Sequence, residues 1–202
     1  MWPGRWLSSN PLVTTVAIIG AGPLGRRLAL SAGRSGYCVF LEDVMPATLH
    51  HAGEYIREQL SADTMGREPG ADIRLAATIE DAVRSAGLVI DCVPDELESK
   101  LEILWLLDRM APPRTVFATP TTRLSIADLA ACTYRPEKCI AIASEPSALA
   151  NPDSNSSSIL LRTAPATSAE TVALVSDFWR RLGFTPSVEP APRSGSAAPT
   201  IL

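Results

Sequence analysis

The 202-residue sequence has no apolar run approaching the roughly 20 residues that carry a helix across a bilayer. Its opening stretch, Met1 to Asn10, sets Arg5 between Trp2 and Trp6 without an apolar core of signal-peptide length. Neither membrane insertion nor export is expected, and the chain reads as cytoplasmic. Basic charge is not in excess: 18 Lys and Arg stand against 22 Asp and Glu, for a net charge of −4. That balance gives no basic face for nucleic acid. Cysteine is sparse, and Cys38, Cys92, Cys132 and Cys139 show no C-x-x-C spacing. Two of them, Cys38 and Cys139, fall in predicted strands, where a buried thiol acts as a small hydrophobe. A disulfide framework and a metal site are therefore not expected, and the chain suits a reducing compartment. Histidine is scarcer still, limited to the adjacent pair His50 and His51.

Against these absences stands one concentrated feature. Val13-Thr-Thr-Val-Ala-Ile-Ile19 is an apolar, β-branched run that stops at Gly20, and a helix-compatible segment opens at Pro23. The turn Gly20-Ala21-Gly22-Pro23-Leu24-Gly25 reads G-x-G-x-x-G between a strand and a helix, the context that a dinucleotide-binding fingerprint requires. The first glycine permits the tight turn, the second lets a pyrophosphate approach the backbone, and the third lets the helix lie close to the strand. Pro23 suits the first helical position, where its missing N–H leaves nothing unsatisfied. Helix N–H groups and the positive end of the helix dipole would then face the phosphates.

The rest of the chain alternates strands and helices, which predicts an α/β fold: a single Rossmann-type domain with a doubly wound, mainly parallel sheet. Strands are expected at 37–41, 73–76, 88–90, 115–118 and 139–143, with helices at 23–35, 46–60, from 95 to 110 and at 126–132. Beyond Ser144 the stretch 146–158, with Asn151-Pro152-Asp153 and a serine run, reads as loop. A further strand is expected at 159–161, an amphipathic helix at 168–182 and an edge strand at 184–188. The predicted domain thus covers 13–188, between a flexible tail at 1–12 and a disordered Pro/Ala/Ser-rich tail at 189–202.

The second strand closes on Glu42-Asp43, about twenty residues past the fingerprint, where an acid would hold the adenosine ribose 2′-hydroxyl. A carboxylate there favours NAD over NADP; the alternative is a solvated turn. His50 and His51 follow on the adenine side of such a sheet and read as surface residues.

The segments Val16-Ala-Ile-Ile-Gly-Ala-Gly-Pro-Leu-Gly25, Gly36-Tyr37 leading to Asp43, Val93-Pro-Asp-Glu-Leu-Glu-Ser-Lys100 and Ala118-Thr-Pro-Thr-Thr-Arg-Leu-Ser-Ile126 together resemble the N-terminal domain of the 3-hydroxyacyl-CoA dehydrogenases. The resemblance extends over about 13–188. It implies that Gly20, Gly22 and Gly25 hold the pyrophosphate of NAD, that Asp43 holds its ribose, and that Asp95 and Lys100 contact the cofactor. The family's catalytic serine lies in an Asn-Thr-Ser-Ser sequence, which places Thr122 in the serine's position, where its hydroxyl can still donate to a substrate oxygen.

The departures concern proton transfer. The family's base is a histidine in His-x-x-Asn-Pro after the sixth strand; here Ala143 and Pro146 occupy the histidine and asparagine positions. The glutamate that orients that histidine has no acid in register. Glu145 is the one nearby substitute, and it would need burial to raise its pKa. The helical hairpin after the second strand is cut to a loop at 61–72, and the helical C-terminal domain has no counterpart after Val188. The resemblance implies hydride transfer between NAD and a 3-hydroxyacyl-CoA, with an acyl-CoA substrate. The departures favour either a non-catalytic NAD-sensing or scaffold module, or one half of a split dehydrogenase with a separate helical-domain partner.

Overall fold

A computed structural model describes residues 13–63, 71–149 and 158–190. In chain order the elements are β1 (Thr15–Ile19), α1 (Pro23–Arg34), β2 (Cys38–Glu42), α2 (Pro46–Asp63), β3 (Ile73–Leu75), α3 (Ile79–Val83), β4 (Leu88–Asp91) and α4 (Leu97–Met110). There follow β5 (Val116–Pro120), α5 (Ile126–Ala131), β6 (Cys139–Ile142), α6 (Pro146–Leu149), β7 (Ser158–Thr163), α7 (Ala169–Arg181) and β8 (Thr185–Pro190). One sheet holds all eight strands in the order β3-β2-β1-β4-β5-β6-β7-β8. The first six run parallel, β7 is antiparallel to β6, and β8 is parallel to β7.

The strand order reverses between β1 and β4, so the loops leaving these strands open a crevice at the carboxyl edge. Period-2 alternation sorts the strand side chains into two cores. Val16, Ile18, Leu41, Ile90, Ala118 and Ile142 pack with α1 and α7 on one face. On the other, Ala17, Ile19, Val89, Phe117 and Ala141 pack with α3, α4 and α5. A chain of tilted and edge-to-face rings, Tyr37–Phe178–Trp179–Phe184, seals the first core with centroids 5.2 to 5.4 Å apart. Helix starts are fixed locally: Thr78, Ser125 and Ser168 each accept a backbone N–H three residues on.

The α/β sheet is as expected, with several local differences. The stretch read as loop from 146 begins with a helical turn, Pro146–Leu149, opened by Pro146 at a position where a missing N–H is tolerated. The helix expected over 46–60 continues to Asp63. The edge strand ends at Pro190, two residues past the expected boundary, because β8 pairs along all of β7. The expected flexible tail at 1–12, the serine run and residues 191–202 lie outside the described residues. Among the described residues, no helix is long and apolar enough to cross a membrane.

Candidate functional site

The glycine turn leaves β1 at the mouth of the crevice, and its three glycines have different surroundings. Gly20 has a φ of +101°, and a Cβ there would lie 2.9 Å from the Cys92 carbonyl, so both conformation and space demand glycine. A Cβ on Gly25 would run into the Gly20 carbonyl oxygen, so this glycine lets α1 close onto the turn. Gly22 is different. It caps α1 with an ordinary φ of −62°, and a Cβ on it would meet nothing within 4 Å. The fold therefore does not need glycine at 22, and the open space lies at the N-terminus of a 12-residue helix with no acid in its first turn. A helix N-terminus fronted by open space fits the pyrophosphate of a dinucleotide.

Asp43, just past β2, is tied to that turn. Its Oδ2 accepts the Ala21 N–H at 2.7 Å and its Oδ1 accepts the Met45 N–H at 2.8 Å. The carboxylate is thus held beside the glycine turn. Behind it, Glu42 is 5% exposed. Burial, and then the neighbouring Asp43 charge, push the Glu42 carboxyl up to about 7. A carboxyl raised in the folded state is least costly while protonated. Stability is therefore fullest below the ordinary value of 4.5 and is lost as pH rises towards about 7. Glu42→Gln is expected to remove this slope between pH 4.5 and about 7 and to gain about 2 kcal/mol at the alkaline end, allowing for partial solvent screening. Urea denaturation at stepped pH measures both.

At the other end of the crevice, β4 ends in Asp91, which is 1% exposed. Lys100 on α4 is fully buried, and its Nζ donates to Asp91 Oδ1 at 2.5 Å. Burial raises the Asp91 carboxyl above its ordinary range, while the Lys100 charge and the Thr119 hydroxyl beside it pull the other way. Lys100 was expected to touch the cofactor; it is turned inward onto Asp91 with no exposed surface. Asp95 lies closer to the crevice. Its Oδ2 accepts the Thr122 N–H at 3.4 Å, and its main-chain oxygen accepts Arg123 Nη2 at 2.7 Å. These contacts tie the loops after β4 and β5 together. Three buried oxygens here, Asp91 Oδ2, Asp95 Oδ1 and Thr119 Oγ1, make no hydrogen bond among the described residues.

Thr122 is exposed on the loop leaving β5. The chain end of β6 is apolar: Ala143 follows it and donates its N–H to the Leu160 oxygen at 2.8 Å. Ser144 Oγ accepts the Leu160 N–H at 2.9 Å, and Pro146 opens α6. Glu145 is exposed, without the burial that its use as a substitute base required. His50 and Glu54 form an exposed i,i+4 pair on α2, so the histidines stay on the surface.

Sequence reasoning passed over Asp91 and Arg123. The signal for Asp91 was an acid ending the apolar run Leu88-Val89-Ile90, since a buried charge requires a partner. No comparable pattern marked Arg123.

An open parallel sheet whose strand order reverses at a glycine turn, with a carboxylate held after the second strand, defines a Rossmann-type dinucleotide-binding domain. Residues 15–189 match the family described as "3-hydroxyacyl-CoA dehydrogenase, NAD binding domain". The chain belongs to this family, and NAD is the cofactor of the domain it carries. It is 29% identical over 136 residues to a probable 3-hydroxybutyryl-CoA dehydrogenase of Bacillus subtilis, covering 63% of this chain and 47% of that protein. It is also 29% identical over 182 residues to 5-formyl-3-hydroxy-2-methylpyridine 4-carboxylate 5-dehydrogenase of Mesorhizobium japonicum, covering 88% and 57%. The crystal structure of 3-hydroxybutyryl-CoA dehydrogenase from Escherichia coli superposes with a TM-score of 0.77 at 26% identity, over 89% of this chain and 38% of that one. The chain spans about half the length of the curated relatives it matches, 47% and 57%.

Proposed function

We propose that the chain holds NAD(H) across the carboxyl edge of its sheet and does not by itself oxidise a 3-hydroxyacyl-CoA. The observation that carries this reading is the contrast between the two ends of the crevice. Space is kept open at Gly22, where the fold has no need of it. After β6, where the family resemblance puts the general base, Ala143 and Pro146 carry no group that can take a proton. A general base in reach is worth about a hundred- to ten-thousand-fold in rate. In this reading Gly20, Ala21, Gly22, Pro23, Leu24 and Gly25 cradle the pyrophosphate, Asp43 takes the adenosine ribose, and Asp95 and Thr122 face the nicotinamide half. Lys100 acts from beneath, by fixing Asp91. The relatives' names, a CoA thioester on one side and a pyridine carboxylate on the other, leave the second ligand open within the family.

Fluorescence titration with NADH tests the binding. Saturable binding is expected, weakened about tenfold in Gly22→Ala because the new methyl occupies the pyrophosphate's place. The melting temperature of that variant should stay at the wild-type value, since the methyl meets no protein atom. Acetoacetyl-CoA added to the NADH complex at high protein concentration is expected to leave NADH absorbance unchanged. Steady NADH loss, or failure of the wild type to bind NADH, overturns the reading.

A further inference from the structure

Arg123 is the cationic side chain of the described residues on the loop after β5, and the cofactor reading leaves it unused. It sits at the tip of the loop between β5 and α5, next to Thr122, and its side chain is 72% exposed. The loop is braced on both sides. Thr121 Oγ1, itself buried, accepts the Leu124 N–H at 3.0 Å, closing a turn around Thr122 and Arg123. Ser125 then caps α5 through the Asp128 N–H at 3.3 Å. The guanidinium is pinned by one bond, Nη2 to the Asp95 main-chain oxygen at 2.7 Å. Its Nε lies 3.8 Å from Asp95 Oδ2, too far for a hydrogen bond, so this is a loose ion pair at an exposed edge.

A guanidinium carries five donors in a fixed fork, and this one commits a single donor at close range to a neutral carbonyl. It is oriented by that bond and only loosely paired with the Asp95 carboxylate at an exposed edge. Beside it, the exposed Thr122 hydroxyl offers one more donor on the same tip. Two adjacent donors, one cationic and planar, on a braced loop match a carboxylate better than a neutral carbonyl or a thioester. The position separates this anion from the cofactor's own. The open space at Gly22 lies after β1, whereas Arg123 lies after β5, two strands away across β4. We propose that Arg123, with Thr122, is the recognition site for the carboxylate of a small organic acid bound beside the nicotinamide half of the crevice. This rests on the NAD(H) reading above, because the bound cofactor forms the other wall of the site.

Acetoacetate titrated into the NADH complex, followed by NADH fluorescence, is the test, with methyl acetoacetate as the uncharged control. Acetoacetate is expected to bind saturably and the methyl ester not to bind. Arg123→Gln should weaken acetoacetate by about tenfold or more while leaving NADH affinity within about twofold of wild type. Arg123→Lys should fall between, since a point charge keeps the attraction and loses the fork. If NADH binds but acetoacetate does not, or if Arg123→Gln leaves acetoacetate binding unchanged, or if the ester binds equally, this proposal falls and the NAD(H) reading stands. If Arg123→Gln weakens NADH and leaves acetoacetate unchanged, the guanidinium serves the cofactor and the proposal is overturned. If NADH itself fails to bind the wild type, both fall together.

Discussion

Replacing Lys100 by Met is expected to destabilise the domain by about 3–5 kcal/mol, because it strands the Asp91 carboxylate in the sheet's interior. The magnitude follows from burial: the two side chains are 0% and 1% exposed, and Nζ and Oδ1 are 2.5 Å apart. The second carboxylate oxygen has no hydrogen bond, so the ammonium is the group's main compensation. Urea denaturation of the unliganded protein measures the loss. The pH dependence identifies its cause. Burial already raises Asp91 above the ordinary carboxylate range with Lys100 present. Without the ammonium the group should rise further, so the variant takes up a proton on folding. Its stability deficit is then small in acid, where the carboxyl is neutral in both folded proteins, and grows as pH rises above the ordinary carboxylate range, where wild-type Asp91 ionises against Lys100 and the variant's does not. A deficit independent of pH would mean that lost packing of the lysine stem, and not the charge, sets the cost.

The double variant Asp91→Leu/Lys100→Met completes the argument. Removing both charges for apolar groups of similar size should recover most of the loss, returning to within about 1 kcal/mol of wild type. The fold would then not need the pair for its stability. Its remaining role is to set the position of the loop after β4, which carries Asp95, by holding α4 against the strand end. The double variant should therefore fold well and still bind NADH less tightly than wild type.

The sheet was legible because each strand is a short β-branched run broken by glycine, proline or an acid, and each helix carries apolar residues at helical spacing. The glycine turn was legible for a different reason: a positive φ at Gly20 and the close approach of Gly25 to the Gly20 carbonyl restrict residue choice, so the pattern is local. What the sequence did not show is what depends on packing across elements. Lys100 reads as one more charge in the acidic first turns of a helix, and only the sheet behind α4 reveals that it points inward. Glu42 and Asp43 look equivalent as neighbours, yet strand alternation buries the first and leaves the second at the crevice. The helical turn at 146–149 was hidden by its own Asn-Pro-rich surroundings. Arg123 is exposed, so no hydrophobic period constrains it, and its interest lies wholly in the Asp95 carbonyl that orients it.

Asp43→Ala is expected to weaken NADH binding by about a hundredfold. The carboxylate acts twice: it accepts the Ala21 and Met45 N–H groups at 2.7 and 2.8 Å, and each oxygen keeps a second lone pair for a ribose hydroxyl. Charge-assisted hydrogen bonds contribute about 1.5–3 kcal/mol each, so losing one corresponds to roughly ten- to a hundred-and-fifty-fold in affinity. Asp43→Asn separates the two roles. Its amide has one oxygen and one NH2 group, so whichever backbone N–H meets the NH2 faces a donor. The asparagine variant should therefore bind NADH weakly too, about tenfold below wild type, with the turn partly released. NADPH gives the opposite contrast. At the proposed ribose position Asp43 would repel the 2′-phosphate, so NADPH should bind far less tightly than NADH, and Asp43→Ala should narrow that gap by weakening one ligand and relieving the other. Parallel titrations of wild type, Asp43→Ala and Asp43→Asn with both nucleotides, alongside melting temperatures, read out each effect. Undiminished NADH affinity in a folded Asp43→Ala would show that the carboxylate serves the turn alone, and would move the ribose contact elsewhere on the loop after β2.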